Sequence, residues 1–157
     1  MTAADFSFAV RPATRDDADI IAAHRMQLFA GEAAAPADAA LEPASERAVV
    51  HLLDTGRAGA WVAESASGEP VGSAVLLYVD RLPSRENASA VEGYLAQLHV
   101  VEGWRWRGVG MALLQAALAD GRTRALGRVR LHSTGAALGF YARCGFTPRN
   151  NDLELML

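Results

Sequence analysis

Residues 98–110, Leu98-His99-Val100-Val101-Glu102-Gly103-Trp104-Arg105-Trp106-Arg107-Gly108-Val109-Gly110, hold the turn around which the fold is built. The stretch before it, Gly93 to Val101, reads as a strand, and the apolar stretch after it, Val109 to about Arg122, reads as a helix. Gly108 and Gly110 lack side chains, so a ligand can come close to the backbone where that helix begins. The first amides of a helix have no intrahelical acceptor and sit at the positive end of its dipole, which makes them an anion site, most naturally for a pyrophosphate. Guanidinium forks match phosphate oxygens, so Arg105 and Arg107 point the same way; the glycines alone would equally suit a tight strand-to-helix turn. The chain contains no lysine, which excludes a phosphate loop of the nucleotide-hydrolase kind, and the third glycine of a dinucleotide-binding fingerprint is missing.

Working outward, Phe6, Phe8 and Val10 alternate up to Pro12 and predict an opening strand. Thr14 with Asp16 and Asp17 is an N-cap followed by acids, and Ile20, Ile21, His24 and Leu28 mark a helix to about Ala30. Residues 31–45 have no clear periodicity and read as a mobile connection of the kind that often covers a site; Glu46 to Leu53 is a second helix ended by Gly56. Ala60 to Ala63 and Val71 to Val79 are strands joined by Ser67-Gly68-Glu69-Pro70, and Arg81 to Ala90 is a polar loop. After the helix at 109–122 come a strand (Arg128 to His132), a helix (Gly135 to Cys144) and a last strand near Leu153 to Leu157. This order predicts a single α/β (α+β) domain over residues 1–157, a mixed central sheet of about six or seven strands with about four helices on its faces.

A chain of 157 residues, 51% hydrophobic, supports one core of ordinary size. No run approaches the roughly 18 apolar residues of a membrane span, and Met1 to Pro12 does not read as an export leader, so a cytoplasmic protein with no membrane role is expected. The single cysteine, Cys144, cannot form an internal disulfide and fits a reducing compartment. The net charge of -3 divides unevenly: residues 1–102 hold 7 arginines and 15 acids (-8), and residues 103–157 hold 8 arginines and 3 acids (+5). A basic C-terminal third suits a phosphate-bearing ligand, and the acidic remainder suits a cationic partner such as an amine. This overall sign without a known binding motif argues against nucleic acid. No cluster has metal-site spacing.

Leu98-His99-Val100 through Arg105-Trp106-Arg107-Gly108-Val109-Gly110, together with Gly139-Phe140-Tyr141-Ala142-Arg143-Cys144-Gly145-Phe146, resembles the two-part coenzyme A signature of the GNAT superfamily of N-acetyltransferases. With the element order above, the resemblance spans essentially the whole chain. It implies acetyl-CoA as co-substrate and a sheet splayed between its fourth and fifth strands. Backbone groups of Leu98, His99 and Val100 would then face the pantetheine arm, and Arg105, Trp106, Arg107, Gly108, Val109 and Gly110 would hold the pyrophosphate. Many members carry an asparagine seven residues before the tyrosine; here Thr134 stands there with a hydroxyl in place of the amide. Glu102 replaces a proline common just before the signature. The arginine-only basic residues and frequent alanine point to a GC-rich coding bias and a bacterial source, and Leu131-His132-Ser133-Thr134 before the last helix resembles a subgroup of small bacterial acetyltransferases.

Acetyl transfer to an amine needs a neutral amine, stabilisation of the thioester oxyanion and a proton for the departing thiolate. The resemblance makes Tyr141 the proton donor and a backbone amide near Val100 the oxyanion contact. Glu92, at the start of the fourth strand, is the first candidate base, with Glu32 and Glu102 as rivals. His99 and His132 are further candidates by residue type, but a lone histidine on a strand is more often structural, and bulk water could serve instead of any base. Cys144 reads as a small buried thiol, Trp61 as core, and Trp104 and Trp106 as frames for the coenzyme or an interface. The expected acceptor is a small-molecule or peptide primary amine, cationic by the charge argument, and a homodimer is the expected oligomer. A non-catalytic acyl-CoA-binding module is the rival reading; it would keep residues 105–110 without needing an acid or an acceptor pocket.

Overall fold

A computed structural model describes residues 6–30, 38–149 and 153–157. Five strands form one sheet in chain order: β1 (Phe8–Pro12), β2 (Ala58–Ser65), β3 (Pro70–Asp80), β4 (Val91–Val100) and β5 (Val129–Arg130). The first four are antiparallel neighbours and β5 runs parallel to β4. Helices α1 (Ala18–Phe29) and α2 (Asp38–Asp54) cover one face. Helix α3 (Val109–Thr123), with the short α4 (Leu138–Arg143), covers the other.

Strand alternation divides the core accordingly. Trp61, Ala63, Ala74, Leu76 and Leu95 pack against Val109, Leu113, Leu114 and Ala117 of α3. Ala58, Ala60 and Val75 pack against Ala18 and Ile21 of α1 and Val49 of α2. The turn into α1 is fixed by Asp17, whose carboxylate accepts from the Thr14 amide (2.8 Å) and from both terminal nitrogens of Arg11 (2.8 and 2.9 Å).

Three features differ from the sequence expectation. Helix α2 begins at Asp38 and runs through Pro43, where a connection to residue 45 was expected; Ala39, Ala40, Leu41 and Ala44 favour helix, and most of this turn is exposed, so it writes no apolar period. The part of the expected connection at 31–37 lies outside the described residues. Strand β5 is reduced to Val129–Arg130, and residues 153–157 pair with no described strand and stand open to solvent, so the described sheet has five strands. Apolar composition proposed that last strand, but a strand exists only where a neighbour takes up its backbone groups.

Candidate active site

The site forms where the sheet comes apart. Among the described residues, strand β4 meets β5 only at Gly93 with Val129 and Tyr94 with Arg130, so Leu95 to Val100 have no described partner on that edge. Into the gap open Leu98 and Val100 of β4, Gly108 and Gly110 at the start of α3, Thr134 from the segment that leads into α4, and Tyr141 of α4 itself. The resulting cleft encloses about 540 Å³.

Its phosphate-sized end is built by backbone. Gly108 caps α3 with φ +85°, and Trp106 holds φ +65°, a left-handed conformation that costs a non-glycine residue about 1–2 kcal/mol. Left-handed residues placed in this way turn successive amides inward as an anion-binding nest, and helix geometry leaves the amides of Val109, Gly110 and Met111 without intrahelical acceptors. An added Cβ at Gly110 would lie 3.6 Å from Val100 Cγ2 and 3.8 Å from Phe140 Cζ, both on the cleft wall. The glycine therefore keeps open a space that the fold itself would let a methyl occupy. Arg105 lines the cleft with its Nε donating to the Val100 carbonyl (3.2 Å), and Arg143 lines it from α4. Two guanidinium groups, a row of unpaired amides and a bare backbone fit a pyrophosphate.

Tyr141 also lines the cleft, its ring packed edge-on against Phe140 (5.1 Å between centroids) and Phe146 (5.6 Å). Those contacts hold the ring from two sides, and its hydroxyl has no hydrogen-bond partner among the described residues. Burial, with a smaller contribution from Cys144, pushes the phenol above its usual value of 10, so it keeps its proton across the physiological range. Thr134 makes no side-chain cap bond to the turn that follows it, which leaves its hydroxyl for the cleft.

The comparisons with known proteins agree with this geometry. Residues 25–146 match the model of the acetyltransferase (GNAT) family. The chain belongs to that family. Among solved structures it is similar to a GCN5-related N-acetyltransferase from Ralstonia eutropha JMP134, at 26% identity and a TM-score of 0.86, over 96% of this chain and 99% of that one. A predicted acetyltransferase from Clostridium acetobutylicum, solved with acetyl-CoA, shares the fold at 18% identity and a TM-score of 0.84, over 96% of each chain. So does an aminoglycoside N-acetyltransferase in complex with CoA, at 15% identity and a TM-score of 0.76, over 96% of this chain and 95% of that one. No functionally curated protein matches the sequence.

Not every residue singled out in the sequence of this GNAT chain reaches the cleft. Leu98, Val100, Arg105, Trp106, Gly108, Gly110, Thr134 and Tyr141 line it. Val109 is a core residue, 1% exposed. Arg107 turns away: its guanidinium carbon lies 3.1 Å from the centre of the Phe6 ring, and its Nε donates to the Gly103 carbonyl (3.2 Å). His99 projects to the α1 face, where Nε2 donates to Gln27 Oε1 at 2.8 Å. Burial, with smaller contributions from His24 and Arg105, lowers its pKa to about 4, so it is a neutral, buried histidine.

Glu92 is not brought to the cleft either. It sits eight residues before Val100, roughly 26 Å along an extended strand, with its carboxylate among Arg128 (2.7 Å), Arg81 (3.3 Å) and Arg130 (3.8 Å). A carboxylate held by three guanidinium groups is engaged in ion pairs; here it ties the start of β4 to β5 where the two strands pair. Glu102 is exposed on the turn after β4, and Glu32 lies outside the described residues. Trp61 lies in the core, and Cys144 is half-buried with its Sγ 3.9 Å from Met111 Sδ.

Met111, Phe140 and Arg143 line the cleft without having been given a role from sequence. The signal was present: Ala136, Ala137, Phe140, Tyr141 and Arg143 fall at helical spacing around one face that must look back at Gly110.

Proposed function

We propose that this GNAT protein transfers the acetyl group of acetyl-CoA directly to a primary amine within a ternary complex. One observation supports the reading above the others: the open start of α3 and the free hydroxyl of Tyr141 face the same cleft, on either side of a β4 edge that has lost its neighbour. The amides of Val109 to Met111 with Arg105 and Arg143 would bind the pyrophosphate. The unpaired edge of β4 near Leu98 to Val100 would align the pantetheine arm and offer an amide to the thioester oxygen as it gains charge. Tyr141 would give its proton to the thiolate as the tetrahedral intermediate collapses, a role its raised pKa suits because the phenol stays protonated until strongly alkaline pH.

No carboxylate or imidazole lines the cleft among the described residues. In this reading the acceptor arrives neutral and its proton leaves to water. The test is release of free thiol from acetyl-CoA on adding a panel of primary amines, with the N-acetyl product identified by mass. Amine-dependent thiol release with a matching product supports transfer. Tight acetyl-CoA binding with no release for any amine would make the protein a binding module and overturn the reading.

A further inference from the structure

A second cavity, about 350 Å³, lies on the opposite face of the sheet, between α1, α2 and the middle of β3 and β4. Leu41, Leu52, Val75, Leu77 and Ala96 give it an apolar wall. Its polar lining is Arg25, Ser45 and Gln97, and no carboxylate lines it among the described residues. Gln97 is already committed: its Nε2 donates to Ile21 O (3.0 Å) and to Ser73 Oγ (2.9 Å). Arg25 is not. Its guanidinium lies 5.2 Å from the centre of the Phe29 ring and donates from Nη1 to the Ala96 carbonyl (3.3 Å), and no described carboxylate pairs with it. A half-buried guanidinium with four further N–H donors beside an apolar wall is an incomplete anion site.

Ala96 places this cavity relative to the cleft. The β3–β4 register shifts where Val75 pairs with Gln97 and Leu76 with Leu95, leaving Ala96 as the extra residue of a bulge. Ala96 and Gln97 line the second cavity, and Leu98, on the other face, lines the cleft. Adjacent residues of β4 therefore face the two cavities from opposite sides of the sheet, beyond the point where β4 pairs with β5.

We infer that the acceptor is an α-amino acid with an apolar side chain, its carboxylate held by Arg25 and its side chain between α1 and α2. Resting on the acetyl-transfer reading, this deepens it. A carboxylate on Arg25 puts an amine one carbon away beside the parted edge of β4, facing the acyl group that the cleft would present. A cationic side chain would find no counter-charge on this wall, so the excess of acids in residues 1–102 does not describe the acceptor pocket.

The experiment compares L-leucine and L-phenylalanine with their methyl esters and with isoamylamine and phenethylamine, in the wild-type protein and in Arg25→Gln. Thiol release gives turnover, and calorimetry gives amino-acid binding without turnover. Wild type is expected to favour each acid over its ester by at least tenfold in kcat/KM, as a charge-assisted fork on a carboxylate implies. Arg25→Gln should erase that preference, leave ester and amine rates within about twofold, and leave CoA affinity unchanged, since Arg25 is outside the cleft. Arg25→Lys keeps the charge without the fork and should retain part of the preference, which covers the case in which the glutamine variant does not fold. Equal kcat/KM for acids and esters in the wild type overturns the inference while transfer stands. Loss of leucine binding in Arg25→Gln without turnover of any amine would overturn transfer and keep the carboxylate site.

Discussion

Gly108 and Gly110 stand two residues apart for different physical reasons, and substituting each by alanine separates those reasons. At Gly110 the new methyl would meet Val100 and Phe140 at 3.6 and 3.8 Å, ordinary contact distances, in a helical residue without a positive φ. Alanine is favoured over glycine within a helix by about 1 kcal/mol, somewhat less in a first turn, so Gly110→Ala should be neutral to stabilising by up to that amount. The same methyl stands where a pyrophosphate must approach bare amides. Even one lost or lengthened charge-assisted bond, at about 1.5–3 kcal/mol, lowers CoA affinity about tenfold or more. At Gly108 nothing lies within 4 Å of an added Cβ, yet φ is +85°, so alanine costs about 1–2 kcal/mol of backbone strain without filling the site. Denaturant unfolding and calorimetry with CoA on the two variants should thus give opposite patterns. Gly110→Ala keeps stability and loses affinity; Gly108→Ala loses stability and, where folded, keeps more of its affinity. A Gly110→Ala protein that binds CoA like the wild type would refute the placement of the pyrophosphate at this helix start.

Three further outcomes follow from the structure. Tyr141→Phe keeps the ring between Phe140 and Phe146 and removes only the proton donor, so kcat for the best amine should fall on the order of a hundredfold or more with CoA affinity little changed; near-normal kcat would make Tyr141 a packing residue. Glu92→Gln leaves three arginines facing a neutral amide, so it should cost about 2–4 kcal/mol in urea unfolding while the folded enzyme keeps its acceptor KM; a large loss of kcat with unchanged stability would restore Glu92 as a catalyst. His99 titrates near 4 in the folded protein against 6.5 when unfolded, so the unfolded chain takes up its proton first as pH falls; its contribution, about 3 kcal/mol, is fully present above pH 6.5 and is lost as pH drops from there toward 4. His99→Gln should flatten that part of the stability profile, and an unchanged slope between pH 6.5 and 4 would show that other groups dominate it.

The parts of the site legible in the sequence were those fixed by neighbours along the chain. Gly108 and Gly110 at a strand-to-helix junction mark where bare backbone lines the cleft, and Tyr141 marks its wall from α4. Facing is harder to read than position. Along β4, strict alternation would put Leu95, Gln97 and His99 on one side, but the bulge at Ala96 moves Leu95 to the cleft face with Leu98 and sends Gln97 and His99 to α1. That single extra residue makes His99 a structural histidine, and nothing in the local pattern marks it. Glu92 misled for a similar reason: its three arginines come from positions 81, 128 and 130, and a charge cluster assembled by the sheet is invisible to spacing along the chain. Arg25 is one charged residue on a helix with little apolar periodicity; only its place beside an apolar wall, with no described carboxylate paired to it, gives it meaning.

The most direct test of the central claim is a crystal structure of the protein with CoA bound. It should show the pyrophosphate on the amides of Val109 to Met111 and the pantetheine arm along β4 from Val100 toward Leu98. The sulfur should lie within hydrogen-bonding reach of the Tyr141 hydroxyl. Coenzyme seated elsewhere, or with its sulfur turned away from Tyr141 and the parted edge of β4, would contradict the account.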